Sequence, residues 1–431
     1  MEVQKFNQMD ETLYYEMLPN GLQVYLVPKA GFNKTYATFT TKYGSIDNHF
    51  TPLGKTEPIR VPDGIAHFLE HKLFEKVDYD VFQKFSAAGA SSNAFTSFTR
   101  TAYLFQTTSD VKQNLTTLLD FVQEPYFTEE TVEKEKGIIE EEIKMYEDNA
   151  DFKAYFGLLN NMYANNPIKI DIAGTVDSIY QITADDLQVC YDTFYHPSNM
   201  ILFVVGDIEP ESIMNLVRDN QAAKNYPKAP EIKRIFPEEP TPVACSEKTV
   251  TMPVGTPKVF VGVKGEINKQ DSASILLKTD LALDILMDLV FGTSTDYYES
   301  LIEQELANDT FSYESTHEPE SSFCFVGTDT NKPKEFIDNV KARILEIPNF
   351  DFNEVDFERI KRKKIGQFLV ALNSVEFIAN RFTEYAFNGV NLFNAVTILE
   401  DLSLIDIDGI ARNYFKPEQI TVFTIMPAEE N

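Results

Sequence analysis

The sequence predicts an α+β protein built as two related halves, and three observations predict it. Segments alternating at period two, or short and apolar, are interleaved with longer segments of helical period. The order of motifs also repeats. Leu118–Phe127 followed by Glu130–Gly137 is matched by Ile344–Phe350 followed by Asn353–Lys361, and Tyr195–Val204 is matched by Tyr414–Phe423. Finally, Pro227, Pro230, Pro237, Pro240 and Pro242 crowd one stretch, a composition that suits a linker. The expected division is residues 1–228, a linker over 229–242, and residues 243–431.

Tyr14–Pro28 carries a hairpin signal. Leu18-Pro19-Asn20-Gly21 puts Asn-Gly at the turn, and Leu22–Val27 alternates as the returning strand. Lys34–Tyr43 alternates in the same way and stops at Gly44. Asn48–Arg60, polar and broken by Pro52, Gly54 and Pro58, reads as a loop. Asp63–Lys76 reads as a buried helix, with Asp63 as N-cap behind Pro62 and Ile65, Ala66, Leu69, Leu73 and Phe74 at helical spacing. Tyr79–Ala88 follows as a short helix, and Ser91–Gln106 as one long strand rich in Thr and aromatics. Asp110–Val122, Thr128–Asp148 and Lys153–Asn161 read as helices. Thr183 opens another, and Ile201–Val205 is a buried strand.

The Asp63–Lys76 helix holds the chemistry. His67 and His71 stand four residues apart, one turn above the other on one face, where both imidazoles can bind one ion. Glu70 sits at the edge of that face, able to reach a water without being a ligand, as a general base must. His-x-x-Glu-His is the inverted zinc motif, and this one turn holds two of the chain's 5 histidines. A zinc hydrolase needs a third protein ligand and an open fourth position. His49, in the preceding loop, would close that position and is expected to play no part. On a helical wheel of Glu133–Asp148, Glu142 falls at the centre of a stripe formed by Ile138, Ile139, Met145 and Tyr146. A carboxylate there is costly unless paired or metal-bound, so Glu142 is the expected ligand. Glu135, about 10 Å away along the axis, fits a supporting position behind a ligand. A merely Glu-rich, solvated helix accounts for Glu140, Glu141 and Glu147 but poorly for Glu142.

With these residues together, the chain resembles the pitrilysin/insulinase family of zinc peptidases, most of all its bacterial processing-peptidase-like branch. The resemblance implies Zn2+ held by His67, His71 and Glu142, with Glu70 as base. It implies two related α+β domains, each a mostly antiparallel sheet packed with helices, and peptide substrates enclosed in a chamber. In the family, the strand corresponding to Ser91–Gln106 is an exposed edge that holds substrate backbone as an added strand, which makes Asn93, Ala94 and Phe95 candidate substrate contacts. Many members complete the site with an Arg and a Tyr seven residues apart, from another domain or subunit, to stabilise the developing oxyanion. Here no Arg after Pro242 has a Tyr at that spacing, and Phe377 stands where the Arg is expected. Arg381 and Tyr385 are nearby at spacing four. The departure points to a homologous partner subunit that supplies the pair, in a heterodimer, with a homodimer as the alternative.

The remaining features bound the function. The 431 residues are 43% hydrophobic and 24% charged, enough for two cores, with no stretch long enough to span a membrane. A net charge of −29 argues against nucleic acid or an anionic membrane as partner. It fits either a chamber that favours basic peptides or simply an acidic, soluble surface. Cys190, Cys245 and Cys324 are scattered, and the first residues carry no secretory signal, so a cytoplasmic setting is expected. Three functions stay open: a zinc endopeptidase, a catalytically silent peptide-binding or assembly subunit, and a zinc hydrolase of non-peptide amides. Manganese or cobalt could occupy the same ligands.

Overall fold

The computed structural model describes residues 1–226 and 231–428. Ala229 and Pro230, the first residues of the expected linker, and Lys228 before them lie outside the described residues. The chain forms two compact units. One comprises Met1–Ile143, Ile170–Phe236 and Ala371–Phe387; the other comprises Lys144–Lys169, Pro237–Val370 and Asn388–Asn431. The break at Phe236 falls inside the Pro-rich stretch, but neither unit is continuous in sequence. Each is completed by a segment from the opposite half of the chain.

In the first unit a seven-stranded sheet runs in the order Glu2–Phe6, Glu11–Met17, Gln23–Pro28, Met200–Gly206, Thr35–Thr41, Thr101–Thr107, Ala90–Thr96. Gln23–Pro28 and Met200–Gly206 are parallel; the other neighbours are antiparallel. In the second unit the order is Glu247–Met252, Ile420–Pro427, Lys258–Lys264, Ser321–Asp329, Ser312–Glu318. Here the first pair is parallel and the rest antiparallel. The last five strands of the first sheet and the five of the second therefore share one order and one set of directions, the architecture expected of a duplicated α+β chain. No helix among the described residues is long and apolar enough to cross a membrane.

One face of each sheet is covered by a helix borrowed from the other half of the sequence. Val375–Phe387 packs on strands Thr35–Thr41 and Met200–Gly206, with Phe382 between the rings of Tyr25 and Phe203 at 4.8 and 4.7 Å. Thr35–Thr41 is consequently buried along its whole length. In the second unit Ala150–Met162 packs on Lys258–Lys264 and Ile420–Pro427. A Cβ on Gly157 of that helix would come within 2.3 Å of the Phe423 ring, so glycine permits the close approach.

Two local expectations need correction. Ser91–Gln106 is two strands, Ala90–Thr96 and Thr101–Thr107, joined by a tight turn. Ser97 makes that turn: its N–H donates to the Arg100 carbonyl at 2.8 Å, and its hydroxyl oxygen accepts from the N–H groups of Thr99 and Arg100. No Gly or Pro marks the reversal, so the run reads as continuous. The Asn48–Arg60 loop contains strands His49–Thr51 and Ile59–Arg60, which form a small sheet with Lys233–Arg234. The partner that makes them strands is far away in sequence. The Asn-Gly hairpin is as expected, with Gly21 at φ 90° and its N–H donating to the Leu18 carbonyl at 2.8 Å.

Candidate metal centre

The histidine helix spans Ile65–Leu73 and starts from Gly64, not from an Asp63 cap. Gly64 has φ 88°, and a Cβ there would lie 2.2 Å from the Ala173 carbonyl oxygen. Asp63 is engaged elsewhere: its carboxylate accepts from Asn48 Nδ2 and its carbonyl from Ser178 Oγ, each at 2.8 Å. Ile65, Ala66, Phe68, Leu69 and Leu73 join the core. His67, Glu70 and Lys72 are drawn into the interior with them. Lys72 is satisfied by Glu75 and the Thr131 carbonyl, and so ties this helix to the acidic one. The His67 and His71 rings stand 4.6 Å apart at 64°.

The acidic helix spans Glu129–Glu147 and buries Val132, Lys136, Ile139 and Ile143. The expected inward stripe is therefore misplaced: Ile138 and Met145 are 50% and 59% exposed. Glu135, Ile138, Glu142 and Met145 share a flank at spacings of three and four, beside the core-facing residues. Glu142 therefore lies on this flank and not at the centre of an inward stripe, yet its side chain reaches the histidine pair. Its two carboxylate oxygens lie 3.6 Å from His67 Nε2 and 3.5 Å from His71 Nε2. Among the described residues, His67, His71 and Glu142 are the group that could hold a metal, with ligand atoms all within 4.8 Å of one another. Ligands about 2.0–2.1 Å from a tetrahedral zinc lie about 3.4 Å apart, so this N/N/O set fits that ion. His49 pairs across a strand with Arg60 and is not in the group.

The electrostatics suit ligation and proton transfer. Burial, and then the neighbouring His71, pull the His67 imidazole down to about 3, which keeps it neutral with a lone pair to offer. Burial also pulls His71 down, but its hydrogen bond to Glu135 and the charges of Glu70, Glu135 and Glu142 outweigh it and leave it raised. His71 Nδ1 is 3.0 Å from Glu135 Oε1, so Nδ1 carries the proton and Nε2 faces the metal position. Burial pushes Glu70 up to about 6, against the opposing effects of Thr96 and His71 and with a further push from Glu142. Thr96 Oγ1 donates to Glu70 Oε2 at 2.6 Å. Nothing in the sequence singles out Thr96, one of three Thr in the Ser91–Gln106 run, or the buried Lys72.

Asn93, Ala94 and Phe95 lie on Ala90–Thr96, the last strand of its sheet, paired on one side with Leu104, Tyr103 and Ala102. Arg381 and Tyr385 lie on the Val375–Phe387 helix. Arg381 Nη1 binds Glu384 Oε1 at 2.7 Å, and Glu384 Oε2 accepts from Arg100 Nη2 at 2.9 Å. The Arg100 guanidinium in turn lies 5.8 Å from the centre of the Phe95 ring. This network leads from Arg381 to the edge strand.

Two family models match the chain: Insulinase (Peptidase family M16) over residues 60–176, and Peptidase M16 inactive domain over residues 181–364. A Bacillus subtilis (strain 168) protein named uncharacterized zinc protease YmfH is 53% identical over 423 residues, 98% of each chain. Zinc protease PqqE of Helicobacter pylori is 26% identical over 428 residues, 95% of this chain and 92% of that one. The crystal structure of an M16-like peptidase from Alicyclobacillus acidocaldarius superposes with a TM-score of 0.92 at 36% identity, covering 97% of this chain and 99% of that one.

Proposed function

We propose that this chain, which belongs to the insulinase family of peptidases (family M16), is a zinc-dependent endopeptidase that cleaves or processes peptides. The observation that supports it most is the convergence of two imidazole nitrogens and a carboxylate at zinc-ligand spacing, with a buried, raised Glu70 beside them. His67, His71 and Glu142 hold the ion, and Glu135 fixes the proton of His71 on Nδ1. Zinc bound there supplies Lewis acidity, bringing the pKa of water towards neutrality and polarising a peptide carbonyl. Glu70, ionised at neutral pH yet more basic than an ordinary carboxylate, takes a proton from the attacking water and returns it to the departing amine. Asn93, Ala94 and Phe95 offer their strand's free edge to the peptide backbone, a mode that reads main chain more than side chains.

A homologous partner subunit completes the site in this reading, because the Arg/Tyr spacing of the family is missing and Arg381 is engaged with Glu384. The free, scattered cysteines fit a reducing, cytoplasmic compartment. The missing pair equally favours a second reading, a peptide-binding or assembly subunit that cleaves nothing. Two measurements decide between them: zinc content, and cleavage of a random peptide pool by the chain alone and with any co-purifying homologue. Glu70→Gln is expected to abolish turnover while zinc content stays the same. Full peptidase activity in that variant would overturn the mechanism.

A further inference from the structure

We infer that Thr96 is a positioning residue: its hydroxyl orients the Glu70 carboxylate and ties it to the edge strand, an inference that rests on Glu70 being the base. Thr96 ends strand Ala90–Thr96, paired opposite Thr101. Its Oγ1 donates to Glu70 Oε2 at 2.6 Å, the short distance of a charge-assisted bond. Behind it, the Thr101 hydroxyl donates to the Tyr43 carbonyl at 2.9 Å and lies 3.4 Å from Thr96 Oγ1. Thr101 is wholly buried, so this support does not move.

Packing alone does not set the last torsion of a Glu side chain, which is broad and about two-fold. The Thr96 bond sets it. With Oε2 engaged, Oε1 has no protein donor among the described residues and is the oxygen left for water. Thr96 directly follows Asn93, Ala94 and Phe95, so a peptide added along that strand is registered against the base by the strand's own last residue. The hydroxyl matters here, not the bulk, since valine has nearly the same shape.

Thr96→Val, Thr96→Ser and Glu70→Gln in the full zinc-loaded chain test this, with any partner that activity requires. Thr96→Val is expected to lower kcat about tenfold to a hundredfold, with KM and zinc content unchanged, and Thr96→Ser to keep most of the wild-type rate. Crystal structures should show the Glu70 carboxylate turned or split in Thr96→Val and held in Thr96→Ser. If Thr96→Val does not fold, Thr96→Ala is read in the same way. An unchanged carboxylate in the valine variant overturns the inference. So does a kcat within twofold of wild type when Glu70→Gln is inactive. If Glu70→Gln stays fully active, the peptidase mechanism fails instead, and the carboxylate's orientation still decides the role of Thr96.

Discussion

At Glu135 the carboxylate reaches the far nitrogen of His71, on the side of the ring away from Glu142. In the proposed site it would therefore act on the ion through another side chain, by fixing tautomer and ring orientation. Glu135→Gln should weaken zinc binding about 10–100-fold, measured by competition with a chromophoric chelator. An unchanged affinity would remove Glu135 from that position. The alignment of His67 with His71 was legible in the sequence because helical spacing alone sets it, whereas the stripe expected around Glu142 was not the buried one. Asp63 is not the cap, for a different reason. Its capping signal is local, whereas Gly64 starts the helix because the Ala173 backbone crosses there.

Among the elements, the helix Val375–Phe387 was the least predictable in its placement. Its apolar residues are plain in the sequence, but the sheet they cover belongs mostly to residues more than a hundred and fifty positions away. Phe382 is the residue to probe, since it is buried between Tyr25 and Phe203. Phe382→Ala should destabilise the fold by about 3–5 kcal/mol in denaturant unfolding. A loss well under 1 kcal/mol would mean that the helix does not hold the sheet face closed. The edge hairpin makes the complementary point. Strand character was legible from Thr and aromatic content, but the division of the run into two strands at Ser97 was not, because a side-chain oxygen does the work that Gly or Pro usually signals.

For the whole molecule, acid is the informative perturbation, because 67 carboxylate residues face 38 Lys and Arg. Most of those carboxylates lie at the surface and set solubility and self-repulsion more than fold. Glu16 differs. Arg218 binds both of its oxygens, at 2.8 and 2.5 Å, across 202 positions of sequence. The Arg218 hydrogen bonds, opposed by burial, hold the Glu16 carboxyl down to about 2, against an ordinary 4.5. Because the folded value is depressed, the pair stabilises the fold fully above about 4.5, and that contribution disappears as pH falls towards about 2. Both side chains reach solvent, so Glu16→Gln should cost about 1 kcal/mol at neutral pH. Unfolding curves of variant and wild type should converge as pH drops through that window. A constant difference across it would rule the ion pair out as the cause.

Local periodicity by itself determined the histidine pair, the acidic helix and most strands, because each is written in residues a few positions apart, and the repeated order of such segments disclosed the duplication. Long-range packing alone decided that Glu142 meets both imidazoles, that Thr96 meets Glu70, and that each sheet is closed by a helix from the other half. Those contacts join residues whose separation along the chain carries no period, and only burial of their shared apolar faces brings them together.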